Sequence, residues 1–283
     1  MPVPSHLQPI LSFRRIVLWV EDWITKEYLD RIWSPDDKFF NILVGGGKET
    51  IRGTVHDLRE QDNSHVFGLV DKDFGQSNRS HWSNHRSEIE VFVPTFFELE
   101  NYLLSWPALA GCKENRLQRS EADIQRQAES LAQGMTWWMA CRRLLSDYRD
   151  RLIGDYPTHP KIDNIQNLSE AENYIKAQEW YRNIQSRAAS IGEDSALSSD
   201  LSSAHSDQQN KLSSNRWVQE FSGKEIFRRI RGFLCNESYA RPSDMDVNLA
   251  KAIADWQVEN NQIPDDLNQL RIILKNRVGL PIQ

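Results

Sequence analysis

Apolar residues in the first hundred positions form short runs that alternate with segments of helical periodicity. Four runs are rich in β-branched or aromatic residues and short enough to be buried strands: 15–20, 39–44, 66–70 and 89–93. Between them, apolar side chains recur at helical spacing over 24–33, and a second helix is predicted from about 48 to 61. This alternation predicts an α/β fold with a mostly parallel sheet and right-handed crossovers.

The pattern changes after about position 105. Apolar residues then recur at helical spacing, up to a stretch over 186–214 that is rich in Ser, Asp, Ala and Gln. That stretch is interpreted as a flexible loop or a weak helical excursion. We therefore predict an α/β core over 1–105, a helical insertion with a flexible Ser-rich stretch over 106–215, and a C-terminal helical segment over 216–283 that returns to the core.

Acidic residues follow two of the predicted strands directly. Glu21 comes after the first strand, and Asp71 and Asp73 flank Lys72 after the third. Ligands of parallel sheets bind beyond the carboxyl ends of the strands, and alternate residues of an extended segment point the same way. A DxD motif alone is commonly a turn or a cap. Together with Glu21, it predicts a site for a hard divalent cation.

The segment after the fourth predicted strand carries two more carboxylates. Pro94 ends the strand, and Thr95 is predicted to cap a helix through Leu104, with Glu98 as its capping-box partner. Glu100 follows two residues later. On a helix, residues at i and i+2 diverge by about 200°, so one of the two glutamates is expected to face the site. Glu100 is favoured, because Glu98 has the capping role.

The net charge, the cysteines and the apolar runs argue against several classes of protein. The net charge is −6, whereas a general nucleic-acid coat is usually basic. Three cysteines without a CxxC pair indicate reduced thiols in a cytoplasmic protein, and no apolar run is long enough for a membrane helix or a signal peptide. The triple glycine before Lys48 lacks the spacing of a P-loop, so ATP binding is not expected, although Lys48 remains a candidate phosphate contact.

The order of these motifs resembles a known family. LWVE ending at Glu21, a Gly-rich turn, LVDKDF with Asp71 and Asp73, and FELENYLL with Glu98 and Glu100 are similar to the OLD-like TOPRIM nucleases. Within them, the chain resembles the group that includes the nuclease effector of the PARIS anti-phage defence system. The resemblance covers about residues 13–105 well.

A second, looser part of the resemblance covers 222–234, where GKEIFRRI is similar to the late Gly-Lys segment of the family. It implies that Lys224 contacts the scissile phosphate and offsets charge in the transition state. As an ordinary lysine in the first turn of a helix, Lys224 would have no such role. Both alternatives remain open at this point.

The resemblance implies a TOPRIM-like Rossmannoid core and a metal-dependent endonuclease. Glu21, Asp71 and Asp73 would bind Mg2+ or Mn2+, and Glu98 or Glu100 would complete a second metal position. Lys48 and Lys72 are the candidate substrate contacts, and Lys224 joins the three acids as a catalytic residue.

The implied biology is anti-phage defence by cleavage of RNA, with tRNA as one target, or of DNA. An ABC-type ATPase sensor would control the nuclease, which carries no nucleotide motif of its own, and a homodimer is expected because cutting duplexes often uses two active sites. The alternative is a non-catalytic TOPRIM scaffold that binds a partner or nucleic acid.

Overall fold

The computed structural model describes residues 15–72, 74, 90–149, 160–161, 165–179, 181–182, 194–235 and 242–281. The chain divides into two compact units. The first comprises Met1–Lys72, Asn78–Gln125 and Gly223–Gln283, and the second comprises Asp73–Ser77 and Arg126–Ser222.

A parallel sheet forms the centre of the first unit. Its strands are β1 (Ile16–Val20), β2 (Phe40–Val44), β3 (Val66–Leu69) and β4 (Val91–Phe92), in the order β2-β1-β3-β4. Every described pairing is parallel, and β1 lies between β2 and β3. The predicted α/β class with a mostly parallel sheet is therefore confirmed, and the sheet is compatible with a Rossmann-like core.

The described residues also form eleven α-helices: α1 (Trp23–Ile32), α2 (Lys48–Arg59), α3 (Trp106–Gly111), α4 (Glu121–Gly134), α5 (Thr136–Arg149), α6 (Leu168–Lys176), α7 (Asp194–Ser213), α8 (Trp217–Glu220), α9 (Gly223–Leu234), α10 (Pro242–Glu259) and α11 (Asp265–Arg277). Two 3-10 helices cover Ser34–Phe39 and Leu99–Leu103. None of the described helices is both long and apolar enough to cross a membrane.

Helices cover the sheet as the apolar pattern predicts. Ile51, Val55 and Leu58 recur along one face of α2 and pack with buried valines of β1 and β3. Helix α10 packs against α1, and the Tyr28 hydroxyl donates a buried hydrogen bond of 2.8 Å to Gln257 Oε1. The C-terminal helices thus contribute to the same core as β1 and α1.

The Ser-rich stretch contains a long helix rather than a loop. Helix α7 has 20 residues and packs against α5 within the second unit. Its large apolar residues are few, but Leu197 and Leu201 lie one turn apart and are fully buried or nearly so. Of the two alternatives that the sequence left open, the structure has the helix over Asp194–Ser213.

The predicted helix from Thr95 to Leu104 is wrong in its start and its cap. A 3-10 helix begins at Leu99 with Glu98 as its N-cap, and Asn101 completes the capping box. The Thr95 hydroxyl does not cap this helix because it donates a 2.5 Å hydrogen bond to Asp266 Oδ2 at the start of α11. A tertiary contact has replaced the local cap.

The three cysteines, Cys112, Cys141 and Cys235, are free and buried. Burial raises the pKa of Cys141 to about 12 and also raises the pKa of the other two. Thiols that stay protonated are poor nucleophiles and poor metal ligands. The cysteines are therefore core residues, and the chemistry has to be sought among the carboxylates.

Candidate metal centre

Glu21 and Asp71 meet at the carboxyl edge of the sheet. Glu21 directly follows β1, and Asp71 lies two residues after the end of the neighbouring strand β3. Glu21 Oε1 accepts a 2.8 Å hydrogen bond from the Asp71 backbone N–H, and Asp71 Oδ1 accepts one of 2.9 Å from the Leu99 N–H. These bonds join the ends of two strands to the segment after β4, and they leave the second oxygen of each carboxylate for other partners.

Glu98 and Glu100 both face this edge, in contrast to the prediction that they diverge. Glu98 has an extended backbone (φ −130°, ψ 158°) and precedes the 3-10 helix, so the angular separation of two helical residues does not apply. Glu98 Oε2 accepts a 2.9 Å hydrogen bond from the backbone N–H of Lys224. Glu100 is 1% exposed, and neither of its carboxylate oxygens accepts a hydrogen bond from the described residues.

Lys224 lies in the first turn of α9 and joins two acids. Its Nζ is 3.5 Å from Glu100 Oε1 and 3.3 Å from Asp22 Oδ2. Asp22 Oδ1 accepts a 2.8 Å hydrogen bond from the Thr25 N–H and so caps α1. The side chain of Lys224 is therefore directed at carboxylates in this structure.

Sequence reasoning missed Asp22. The available signal was the acidic residue directly before a helical run, which is an ordinary N-cap pattern. That pattern explains one oxygen of Asp22 but says nothing about the other, which contacts a lysine that is distant in sequence.

Crowded carboxylates perturb one another. Burial of the Asp71 carboxyl raises its pKa well above the usual range, and the negative charges of Glu100, Glu98 and Glu21 add to the effect. Burial likewise raises the pKa of Glu100 to about 7, although Lys224 opposes the shift. The pKa of Glu21 is raised by burial, against the hydrogen bond from Asp71 and the charge of Lys48.

Burial and the neighbouring charges act in opposite directions on the pKa of Lys224. Burial lowers the pKa of its ammonium group, but the charges of Glu100, Asp22 and Asp71 outweigh this and raise it. Lys224 therefore stays protonated. Burial is the largest cause of the raised carboxyl pKa values, and the repulsion of Asp71 by Glu100, Glu98 and Glu21 is a smaller one that a further cation would relieve.

The donor set fits Mg2+ or Mn2+. Each of Glu21 and Asp71 has one carboxylate oxygen bound to a backbone N–H and a second oxygen available, and both ions prefer oxygen ligands. The oxygens of these acids are not gathered closely. Among the described residues, the three groups whose ligand atoms lie within 4.8 Å of one another are those of His56, Asp57 and Glu60.

The His56, Asp57 and Glu60 cluster differs in kind from the sheet edge. All three residues are exposed on or just after α2, and His56 Nε2 is 3.3 Å from Glu60 Oε1 as an i,i+4 pair. Exposed pairs of this kind are ordinary features of a solvated helix face. They have neither burial nor a strand end to position a ligand.

Three predicted site residues remain: Asp73, Lys72 and Lys48. Asp73 lies outside the described residues. Lys72 is 8% exposed and its Nζ donates a 2.6 Å hydrogen bond to the Thr95 carbonyl, so its ammonium supports the loop before the 3-10 helix. Lys48 is half-buried at the start of α2, after the Gly-rich turn, and its charge lowers the pKa of Glu21. Of the two lysines predicted to bind substrate, Lys48 has the more suitable placement.

No protein-family model matches the chain. No curated protein matches it either.

Proposed function

We propose that this chain is a Mg2+- or Mn2+-dependent TOPRIM nuclease of the OLD-like group, which hydrolyses phosphodiester bonds of RNA or DNA. The observation that carries the proposal is the junction of Glu21 and Asp71 at the carboxyl ends of adjacent parallel strands. Acids that converge there, with pKa values raised by burial, are a common sign of a functional site. The motif order around them supports the family.

The proposed ligands are Glu21 and Asp71, together with Asp73. A divalent ion held by these residues would supply charge stabilisation to the phosphoryl group and would lower the pKa of water. Glu21 Oε1 is bound to the Asp71 N–H, so its second oxygen, Oε2, is the one that can hold a proton or a ligand. Glu21 would serve as a ligand or as a general base through this oxygen, and burial, which raises its pKa without an ion, favours the base role.

The residues beside Glu21 support a nucleic acid as the substrate. Trp23 begins α1 two residues after Glu21, and its side chain is 60% exposed. An exposed indole stacks on unpaired bases of any sequence. Lys48, at the start of α2, adds positive charge for a phosphate. A strand whose phosphate lies at Glu21 would have a base within reach of Trp23.

The proposal extends to anti-phage defence. An active nuclease with cellular substrates needs a restraint, and we propose an ABC-type ATPase sensor as that partner. The helical residues 105–187 are the proposed docking surface, because they add mass beyond the proposed catalytic core. Self-association as a homodimer would place two sites on a duplex or on a folded RNA such as tRNA.

A non-catalytic scaffold is the second candidate. One observation favours it: Glu21 and Asp71 already accept backbone hydrogen bonds, and the acids are not gathered within ligand spacing. A scaffold would use these bonds to hold the sheet edge and would need no ion. Absence of both metal binding and cleavage of RNA or DNA would favour this candidate.

Paired variants test the proposal. Glu21→Gln and Asp71→Asn remove charge and keep size, and each is expected to lower the cleavage rate by on the order of 100-fold or more. Asp57→Asn is the matched control, since it removes an exposed carboxylate of the α2 cluster. Cleavage of labelled RNA and DNA with Mg2+, with Mn2+ and with a chelator gives the rates. Wild-type rates in Glu21→Gln or Asp71→Asn would reject the site.

A further inference from the structure

The Lys224 ammonium occupies the space between Glu100 and Asp22. It lies 3.5 Å from Glu100 Oε1 and 3.3 Å from Asp22 Oδ2, and it is the partner of both carboxylates. Glu100 is 1% exposed and accepts no hydrogen bond among the described residues. A buried carboxylate without a counter-charge is strongly destabilising, so the ion pair with Lys224 has a structural reason to exist.

The backbone of α9 is fitted closely to the acidic segment. The Lys224 N–H donates to Glu98 Oε2, so the main chain and the side chain of one residue each bind a glutamate. Gly223 makes the approach possible, because a Cβ at this position would lie 2.5 Å from the Asn101 backbone nitrogen. The position of the ammonium is thus set by a helix that is packed tightly against the Glu98–Glu100 segment.

Both glutamates that were expected to complete a second metal position are therefore already committed. Glu98 accepts the N–H of Lys224 and also caps the 3-10 helix, and Glu100 is paired with the Lys224 ammonium. A second divalent ion at Glu100 would lie close to a like charge in a buried setting, which is unfavourable. Among the described residues, Glu21 and Asp71 have no such ion pair, and each has one carboxylate oxygen available.

We propose that Lys224 takes the place of a second metal ion. The centre binds one divalent ion at Glu21 and Asp71, and the Lys224 ammonium neutralises Glu100 and Asp22. This inference rests on the proposed function in one respect, the ion at Glu21 and Asp71. It assigns Lys224 and Asp22 a role in setting the number of ions, and it makes Glu100 a partner of Lys224 instead of a metal ligand.

Counting bound ions on the full chain tests the proposal without any cleavage assay. Mn2+ is the probe, with stoichiometry from calorimetry and elemental analysis and ion–ion coupling from paramagnetic resonance. We expect one Mn2+ for the wild type and for Lys224→Arg, which keeps the charge. Lys224→Met, which frees Glu100 and Asp22, is expected to take two coupled ions.

Glu100→Gln is the second test and does not depend on how well Lys224→Met folds. If Glu100 is not a ligand, this variant keeps one Mn2+ with affinity within about threefold of the wild type, whereas loss of a group that supports the metal costs about 10–100-fold. Two ions in the wild type, one ion in a folded Lys224→Met, or a tenfold loss of affinity in Glu100→Gln would each overturn the inference and leave the metal nuclease standing. Absence of any Mn2+ from the wild type would instead reject the proposed metal function itself.

Discussion

Lys224 and Glu100 form a buried ion pair, with 3.5 Å between Nζ and Oε1, that joins the first turn of α9 to the 3-10 helix after β4. The two residues come from distant parts of the sequence. Their contact brings the C-terminal third of the chain to the edge of the sheet formed by the N-terminal third. A change in the charge of the candidate centre is therefore expected to change the free energy of unfolding of the first unit.

The first prediction concerns the pH dependence of stability without metal. The pKa of Asp71 is raised by burial and by neighbouring acids, and the pKa of Glu100 is raised to about 7. A carboxyl whose folded pKa exceeds its unfolded value favours the fold while protonated, so this stability is present below about pH 4.5 and is lost as the pH rises through about 7. We expect the chelated protein to melt at lower temperature at pH 8 than at pH 6.

Two further measurements distinguish the titration of these buried carboxyls from a general effect of net charge on stability. Mn2+ should restore stability at pH 8, because it binds the folded chain at the ionised carboxylates. Glu100→Gln should flatten the pH dependence between 6 and 8, because it removes the group that titrates near 7. Equal slopes for the wild type and Glu100→Gln in chelator would contradict the assignment of the effect to Glu100.

The second prediction compares two glycine-to-alanine changes. At Gly223 a Cβ would lie 2.5 Å from the Asn101 backbone nitrogen, so Gly223→Ala has to move α9 and is expected to cost about 1–3 kcal/mol. At Gly53, within α2, a Cβ meets nothing within 4 Å, so Gly53→Ala is expected to gain about 0.5–1 kcal/mol. Urea unfolding measures both, and a neutral Gly223→Ala would show that this contact is not tight.

Sequence reasoning succeeded where the physical cause is local. The apolar runs identified the four strands, and the rule that ligands lie beyond the carboxyl ends of parallel strands brought Glu21 and Asp71 to one edge. Both inferences depend on strand periodicity and chain order, which can be read from the sequence. The parallel arrangement follows from the crossovers through α1 and α2.

The same reasoning failed where a tertiary contact decides the outcome. Thr95 has the sequence context of an N-cap, yet its hydroxyl binds Asp266 from α11. Lys72 stands between the two acids of a DxD motif, yet its ammonium binds the Thr95 carbonyl. Asp22 is an N-cap whose second oxygen contacts Lys224. Each partner is distant in sequence, so no local pattern records the contact.

The third prediction concerns a triad of charged side chains in the first unit, formed by Asp36, Arg271 and Lys275. Asp36 accepts ion pairs from Lys275 Nζ at 3.0 Å and from Arg271 at 3.2 Å, and Lys275 is 1% exposed. Asp36→Ala leaves the buried Lys275 ammonium without its carboxylate and is expected to cost about 3–5 kcal/mol. Lys275→Met should cost less, because Arg271 remains on Asp36 and the methionine packs near Phe39. Urea midpoints at constant m value test the order.

The fourth prediction concerns Trp23 and the class of substrate strand. Its side chain is 60% exposed, so Trp23→Ala is expected to leave the melting temperature unchanged. In an Asp71→Asn background that does not cleave, the change should weaken binding of a single-stranded oligonucleotide by about 1–3 kcal/mol, the usual contribution of one stacked base. Trp23→Phe keeps a stacking face and should retain most of the affinity. Fluorescence anisotropy at fixed salt gives the dissociation constants.

Leu117→Ala is the matched control, since Leu117 is the other large apolar side chain that the described residues expose, at 43%. It should leave binding of the strand unchanged. Duplex of the same sequence should be less sensitive to Trp23→Ala, because its bases are already stacked on one another. Equal losses for Trp23→Ala and Leu117→Ala would remove the stacking argument. If Trp23→Ala binds the oligonucleotide normally but no longer self-associates, the exposed indole belongs to a protein interface and not to the substrate site.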